Sequence, residues 1–394
     1  MRILLVAHGF PRGSDDLAGA FLLDLARGQQ ALGHQLAAVV PHDRGLPLVD
    51  TLEGVEVRRF RYGADEDETL AYRGTMAEQV LRSWTARWRF VRFLAAMRTE
   101  VRRAVREWRP DVVHVHWWFP GGLAIWPGRP RVPLVITSHG TDLFLADRSG
   151  PLRALASRIL PSADAVTVIS SPLAERAERL GVPRDRVTVV PMPMRAPTPS
   201  EGDAPARVAG RVLFLGRLIA RKGAAIAIDA MPALRAQVPG ATLRIVGDGP
   251  ERAALEAQVQ RLGLAEAVSF TGAVAPSEVA AEYAQASAFV MPAITDWKGE
   301  QEGFGLVLVE AMRAGVPVVA SRSGGIPDII ADGANGRLVP EGDALALAAA
   351  LADTLRDPVT AQALAARGAQ DVATRFAPAT IAQVFDTVYR RAVA

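Results

Sequence analysis

Along almost the whole chain, short apolar runs of strand length alternate with longer segments of helical period, and the alternation is broken once, by prolines. A strand that returns through a helix runs parallel to its predecessor, so the pattern demands parallel sheets covered by helices. Strands are expected at Ile3–Ala7, Gln35–Val40, Val112–His116, Leu134–Thr137, Ala165–Ile169 and Val187–Val190. A second series is expected at Arg211–Leu215, Thr242–Val246, Val268–Phe270, Ala288–Met291 and Val316–Ala320. Between the series, Pro191, Pro193, Pro197, Pro199 and Pro205 remove backbone donors too often for a regular element. At 394 residues the chain is long enough for two cores. It reads as α/β, with a doubly wound domain over residues 1–193, a linker over 194–209 and a second such domain over 210–370. Residues 371–394 read as a C-terminal helix packing back on the first domain. Ligand is expected in a cleft where the carboxyl ends of the two sets of strands face each other.

Composition removes whole classes of chemistry. The chain has no cysteine, which excludes disulfides, thiolate metal sites, iron–sulfur clusters and a cysteine nucleophile. The net charge of +3 is uneven, since arginines make the first half basic while the second is acidic. Arginine usage of this kind does not by itself make a nucleic-acid surface, and no nucleic-acid partner is expected. The apolar start Ile3–Ala7 stops at His8, too short for a signal peptide, and no run approaches the ~20 apolar residues of a membrane span. A cytoplasmic protein is expected.

The most informative stretch is Glu302-Gly303-Phe304-Gly305-Leu306-Val307-Leu308-Val309-Glu310, two acids eight positions apart across a glycine-rich opening. Helix from Phe304 onward would bring both acids within about 80° on one face and about 12 Å apart along the axis. The glycines would leave amides free at a helix N-terminus for ligand oxygens and phosphates; the alternative is a buried helix with two incidental acids. In Phe214-Leu215-Gly216-Arg217-Leu218-Ile219-Ala220-Arg221-Lys222-Gly223 a strand runs into a turn carrying cations. Arg217 as a fork and Lys222 as a point charge suit a diphosphate if the turn folds back, whereas a solvated basic loop is the plain alternative. Val246-Gly247-Asp248-Gly249-Pro250-Glu251 is not a dinucleotide fingerprint, because Arg252 stands where the third glycine belongs. It reads as a tight turn, as do Gly324-Gly325-Ile326-Pro327-Asp328 and Asp332-Gly333-Ala334-Asn335-Gly336.

All six histidines lie in the first half. His139 follows a strand directly, where a side chain enters a cleft, and Asp142 is near enough to orient it. His114 and His116 share one strand face, the geometry of a metal pair, but no third ligand is evident and no metal is expected. Trp117, Trp118 and Trp126 add aromatic area that suits sugar rings and cores alike. From Arg82 to Arg109 arginines interleave with Trp84, Trp88, Phe90, Phe93 and Trp108. This segment reads as a solvated arginine face over an aromatic core stripe, with a peripheral contact to anionic lipid as the other reading.

Taken jointly, the two acids, the Gly-Arg-Leu-x4-Lys-Gly segment, Val-Gly-Asp-Gly-Pro-Glu and the two glycine turns resemble, in order, family 4 of the glycosyltransferases. These are the group 1 enzymes, which are retaining and have the GT-B fold of two Rossmann-like domains facing across a cleft. The resemblance covers nearly the whole chain. It implies that Arg217 and Lys222 bind the donor diphosphate and stabilise the leaving group, that Glu302 holds sugar hydroxyls and that Glu310 holds the ribose. It implies amides of Gly303, Phe304, Gly305 and Leu306 near phosphate and sugar, Gly216 and Gly247 at the donor, and Val274 against the base. His139 would sit beside the reacting sugar, Gly19 in the loop from Gly9 would approach the diphosphate, and Trp117, Trp118 and Asp142 would lie on the acceptor side. Two positions depart from the family pattern, Pro191-Met192-Pro193 for Pro-Asn-Gly and Ala18-Gly19 for Gly-Gly.

By that resemblance the chain transfers a sugar from a nucleotide donor, UDP-sugar ahead of GDP-sugar, to a small-molecule, glycan or lipid-linked acceptor. The transfer is a front-side displacement that needs no cofactor or metal because two side-chain cations neutralise the leaving group. A bacterial envelope or secondary-metabolite glycan is the expected setting. A sugar-nucleotide epimerase of the same fold and a non-catalytic sugar-nucleotide binder are the alternatives. A phosphorylase would need a pyridoxal lysine, and the surroundings of Lys298 do not suggest one.

Overall fold

The computed structural model describes the whole chain except residues 15, 17, 18, 74, 75, 77, 78, 81, 82 and 195–204 and the side chain of Pro276. It divides into two compact units, residues 1–195 with 376–394, and residues 196–375. The expected linker over 194–209 thus falls largely outside the described residues, as do Ala18 of the first loop and Arg82 of the arginine-rich segment.

The first unit holds an eight-stranded sheet in the order β3-β4-β2-β1-β5-β6-β7-β8. Its strands are β1 (Arg2–Val6), β2 (Gln35–Pro41), β3 (Val49–Leu52), β4 (Val55–Phe60), β5 (Val112–His116), β6 (Leu134–Ser138), β7 (Ala165–Val168) and β8 (Val187–Val189). All neighbours are parallel except β3 on β4. These last two strands are a hairpin that the apolar pattern did not reveal, because Asp50, Glu53, Glu56, Arg58 and Arg59 mask the alternation. Its two-residue turn has positive φ at both Glu53 (49°) and Gly54 (80°), the geometry that matches strand twist.

The second unit holds six parallel strands in the order β11-β10-β9-β12-β13-β14. They are β9 (Arg211–Leu215), β10 (Thr242–Val246), β11 (Val268–Gly272), β12 (Ala288–Met291), β13 (Val318–Ser321) and β14 (Arg337–Val339). Three residues long and edge-on, β14 has too little apolar length to be seen in sequence. Leu213, Phe289, Val290 and Val319 are fully buried, as expected of strands covered on both faces.

The two sheets reverse their winding at one strand pair each, β1 beside β5 and β9 beside β12. Connections from such a pair leave in opposite directions, so the loops at its carboxyl ends line a crevice that no helix fills. Those loops are the ones that carry most of the residues singled out by sequence.

The helix Pro358–Arg375 stays in the second unit, and the chain re-enters the first at Phe376. There the helix Pro378–Val393 packs on the helix Ala20–Ala31, where Gly28 leaves room: a Cβ on it would lie 2.4 Å from Pro378 O. Ile381, Phe385 and Val388 join the core around Ile3, Leu5 and Val112. Tyr389, fully buried, accepts a hydrogen bond from Gln29 Nε2 (2.6 Å), and its hydroxyl lies 2.8 Å from His114 Nδ1. Tyr389→Phe leaves both partners unsatisfied in the core. Urea unfolding is expected to show a loss of about 1–3 kcal/mol; an unchanged midpoint and slope would mean that the hydroxyl contributes nothing.

Candidate functional site

In the second unit β9 runs through Gly216-Arg217-Leu218-Ile219 into a tight turn at Ala220–Lys222. Gly223 closes the turn at φ +73°, and a Cβ there would lie 1.7 Å from Pro292 O, so only glycine lets the turn approach the end of β12. Gly216 N donates to Val246 O (3.0 Å), Leu218 N to Asp248 O (2.9 Å) and Glu251 N to Leu218 O (3.1 Å). Two motifs that are separate in sequence are therefore one zipped structure, in which Gly247 N also donates to Gly272 O (2.8 Å) and so ties in the loop that carries half-buried Val274.

Lys222 Nζ donates to Glu302 Oε2 at 2.5 Å, and Arg221 Nη1 to Glu300 Oε2 at 3.2 Å. Arg217 is exposed at the head of the same loop, and its guanidinium has no hydrogen bond or ion pair among the described residues. The expected placing of Glu302 and Glu310 on one helix face is corrected here. The helix covers only Leu306–Arg313, because Gly305 takes φ +98° as its N-cap and Phe304 is buried before it. Glu302 thus stands in the preceding loop, its carbonyl accepting Gly325 N (2.9 Å), which seats the Gly324-Gly325 turn against it. The first amides of the helix, including Leu306 and Val307, have no intrahelical acceptor. One turn further on, Tyr283 Oη donates to Glu310 Oε2 at 2.9 Å. Burial raises the pKa of Glu310 against that hydrogen bond and the charge of Arg313, and raises Tyr283 well above its ordinary value. Sequence gave no sign of Tyr283 or of the Arg221–Glu300 pair. Asn335 is internal, donating to Asp371 Oδ2 (2.6 Å) and accepting Ala331 N (2.8 Å), so the Asp332–Gly336 loop serves architecture.

In the first unit the reversal pair is extended by His8 after β1 and Trp117 after β5, with His139 after β6. Their rings gather: Trp117 lies 4.4 Å from both His8 and His139 between centroids, and Phe21 lies 5.0 Å from His139. Trp117 takes φ +67°, rare for a bulky residue and a local strain that its neighbours must hold. Gly19 caps the helix Ala20–Ala31 at φ +73°, its position close against Gly9 O. Asp142 is buried and accepts His139 N (3.1 Å) and Trp118 N (3.0 Å). Burial pushes its pKa up to about 6. Trp118 is fully buried, with Nε1 donating to Asp142 O at 2.6 Å, so the expectation that its ring faces an acceptor is corrected: it is a core side chain, and Trp117 is the open one. Asp142 is likewise buried, its carboxylate taken up by backbone amides.

His114 uses both ring nitrogens, toward Tyr389 Oη (2.8 Å) and Thr137 Oγ1 (2.6 Å), which removes it as a metal ligand. One other group among the described residues, His42, Asp65 and Glu68, brings potential ligand atoms together, but His42 spends its nitrogens on Glu68 (2.5 Å) and Leu46 O (2.9 Å). His8 and Phe21 were passed over in sequence, although His8 stands at a strand end just as His139 does.

The helix Trp84–Trp108 buries Ala86, Phe90, Phe93, Met97, Val101 and Ala104. The aromatic stripe is therefore only half core: Trp84 (75% exposed), Trp88 (69%) and Val91 (54%) form a second apolar stripe on the outer face, flanked by exposed Arg87 and Arg92. No helix among the described residues is long and apolar enough to cross a membrane.

Residues 209–371 match the family model of glycosyl transferases group 1, and residues 18–193 that of the glycosyl transferase 4-like domain. The phosphatidyl-myo-inositol mannosyltransferase of Mycobacterium leprae is 31% identical over 359 residues, covering 89% of this chain and 87% of that protein. A GDP-mannose-dependent alpha-(1-6)-phosphatidylinositol monomannoside mannosyltransferase of Mycolicibacterium smegmatis is 43% identical over 158 residues, 40% of this chain and 41% of that protein. The sucrose-phosphate synthase of Thermosynechococcus elongatus shares the fold, with a TM-score of 0.74 at 24% identity over 99% of this chain and 98% of that one.

A carboxyl group whose pKa is raised in the fold makes its ionised form a cost, absent below the unfolded pKa and complete above the folded one. Stability relative to Asp142→Asn, which cannot ionise, is therefore expected to shift toward the variant by about 2 kcal/mol as pH rises from 4 to 7. A difference that stays flat in denaturant titrations across that range would contradict the raised pKa.

Proposed function

The chain belongs to the glycosyl transferases of group 1, and we propose that it moves a hexose from a nucleoside diphosphate sugar to an acceptor hydroxyl, with retention and without a metal ion. The observation that carries this reading is the Lys222–Glu302 pair, held at 2.5 Å beside the free amides of the helix that begins at Leu306. A cation, unpaired N–H groups and a carboxylate in one crevice match the three parts of such a donor: diphosphate, its leaving oxygen and the sugar hydroxyls. Glu310, set back along the same helix and steadied by Tyr283, suits the ribose.

In this reading the acceptor hydroxyl enters on the face from which the diphosphate leaves. The C1–O bond to phosphate breaks, the bond to the acceptor oxygen forms, and the acceptor proton passes to the departing phosphate oxygen. Arg217 and Lys222 offset the charge growing on the diphosphate, which is the role that a divalent ion would otherwise fill. UDP- and GDP-hexoses are the donors to compare, GDP-mannose because the M. smegmatis relative is named for it. A lipid-linked acceptor is supported by the exposed Trp84–Trp88–Val91 stripe and its flanking arginines, which suit an anionic membrane surface.

Donor class is read by thermal shift with UDP, GDP and ADP and their hexose conjugates, since ligand at 100 times its Kd adds about 2.7 kcal/mol. With the donor so found, Lys222→Ala is expected to lower turnover by about 10²-fold, and excess EDTA to leave it unchanged. Turnover within threefold of wild type, or one abolished by EDTA and restored by magnesium, would overturn the respective role. The membrane reading predicts sedimentation with phosphatidylglycerol vesicles and not with phosphatidylcholine ones, lost in the Trp84→Ser/Trp88→Ser double variant. Equal sedimentation of variant and wild type would refute it.

A further inference from the structure

The exposed stripe on the helix Trp84–Trp108 does not end at Val91. Positions 84, 88, 91 and 95 follow one another at the spacing of a single helix face, so Ala95 is the fourth member of the stripe. Ala95 is exposed too, and it lines a cavity of about 440 Å³ between this helix and the hairpin of β3 and β4. That volume is in the range of small-molecule sites. Leu48 (51% exposed) and Val49 (54%) line it from the sheet edge, and Phe60, held against Phe93 at 5.1 Å between ring centroids, from β4. Ala96 and Thr99 continue the helix side, where small side chains leave the space open.

Most of the charge around the cavity is balanced. Arg103 lies 3.6 Å from Glu100 and 3.3 Å from Glu107, Arg61 is paired with Asp65, and Arg59 is covered, with Nη1 donating to Pro47 O at 3.0 Å and lying 3.4 Å from Asp50. Arg92 differs. It stands one helical turn ahead of Ala96 on the same side, is exposed, and has no hydrogen bond or ion pair among the described residues. The apolar cavity thus has an unbalanced positive charge at the end nearer the exposed tryptophans.

We infer that this cavity binds one acyl chain of an anionic lipid, with the chain between Leu48–Val49 and Ala95–Ala96 and the headgroup phosphate at Arg92. The inference deepens the membrane reading given above and rests on it for the source of the lipid. A chain drawn from a bilayer that holds Trp84 and Trp88 meets apolar surface from Val91 to Ala95 and so stays out of water on its way into the cavity. An arginine fork at its end suits a phosphate better than a zwitterionic or neutral head.

The probe is lauroyl-lysophosphatidylglycerol, kept below its micelle concentration and titrated calorimetrically into the full chain, with lauroyl-lysophosphatidylcholine as the control. Wild type is expected to take up one molecule of the anionic lipid saturably. Val49→Glu charges one wall and Thr99→Trp fills the space from the other, both at exposed positions that the fold tolerates. Each is expected to weaken binding by about tenfold or more. Arg92→Ser is expected to weaken the anionic lipid by about threefold and bring it level with the control. No saturable uptake by wild type, or uptake that both wall variants leave within about twofold, would overturn the inference. Equal affinity of wild type for the two lipids would overturn the headgroup contact. If one wall variant does not fold, the other decides. Vesicle sedimentation is read separately: a chain that sediments with no vesicle yet takes up the free lipid refutes the membrane reading and keeps the cavity, and the reverse result refutes the cavity alone.

Discussion

A parallel sheet wound outward in both directions from one strand pair has one place where adjacent loops part, and the useful side chains of this protein hang from that place in each unit. At β9 and β12 the parting loops hold Arg217, Lys222, Glu300 and Glu302; at β1 and β5 they hold His8 and Trp117. Everything else in the two sheets serves to make that gap rigid. Strands with fully buried residues such as Leu213, Val290 and Val319 do not slip in register without exposing apolar area, so the loops they end in keep their spacing.

In the second unit the glycine motifs act on one another. The loop after β9 is stitched to the loop after β10 by backbone hydrogen bonds from Gly216, Leu218 and Glu251, and the turn at Gly324 rests on the carbonyl of Glu302. This framework delivers Lys222 to Glu302 with both side chains mostly covered (18% and 11% exposed), where their attraction is less screened than at an open surface. It also keeps Arg217 in solvent at the head of the loop. Glu310 draws its surroundings from a different element, the helix carrying Tyr283, and feels burial more than charge.

The first unit is organised by neutral polar groups. Gln29, Tyr389, His114, Thr137 and Thr167 form a continuous buried chain of hydrogen bonds from the helix Ala20–Ala31 across β5 and β6 to β7. It anchors the C-terminal helix and leaves His116 and His139 as a second, shorter pair next to the open rings of Trp117 and Phe21. Burial holds the histidines uncharged, so the region offers lone pairs and N–H groups and no net cation.

The strand series and the glycine-bracketed cations and acids were legible in sequence because each depends on residue type at short range. Apolar period reports strands, and glycine reports a turn wherever it falls. The hairpin of β3 and β4 was not legible, since charged residues on an edge strand erase the alternation. Nor was the helix start at Leu306, because Gly303 and Gly305 are compatible with a helix turn and with a left-handed cap, and only contact with β12 and the Gly324 turn selects the cap. Trp117 and Trp118 are adjacent and chemically identical in sequence, yet the positive φ of one turns it toward His8 and His139 while the other becomes core. The pairings Lys222–Glu302, Tyr283–Glu310 and His116–His139 join residues brought together by sheet order alone. Sequence by itself thus determined the kinds of group available and the type of fold that would carry them. Which groups touch, which are buried and which keep a free charge were decided only by tertiary packing, because burial and hydrogen-bond partnership belong to pairs distant in the chain.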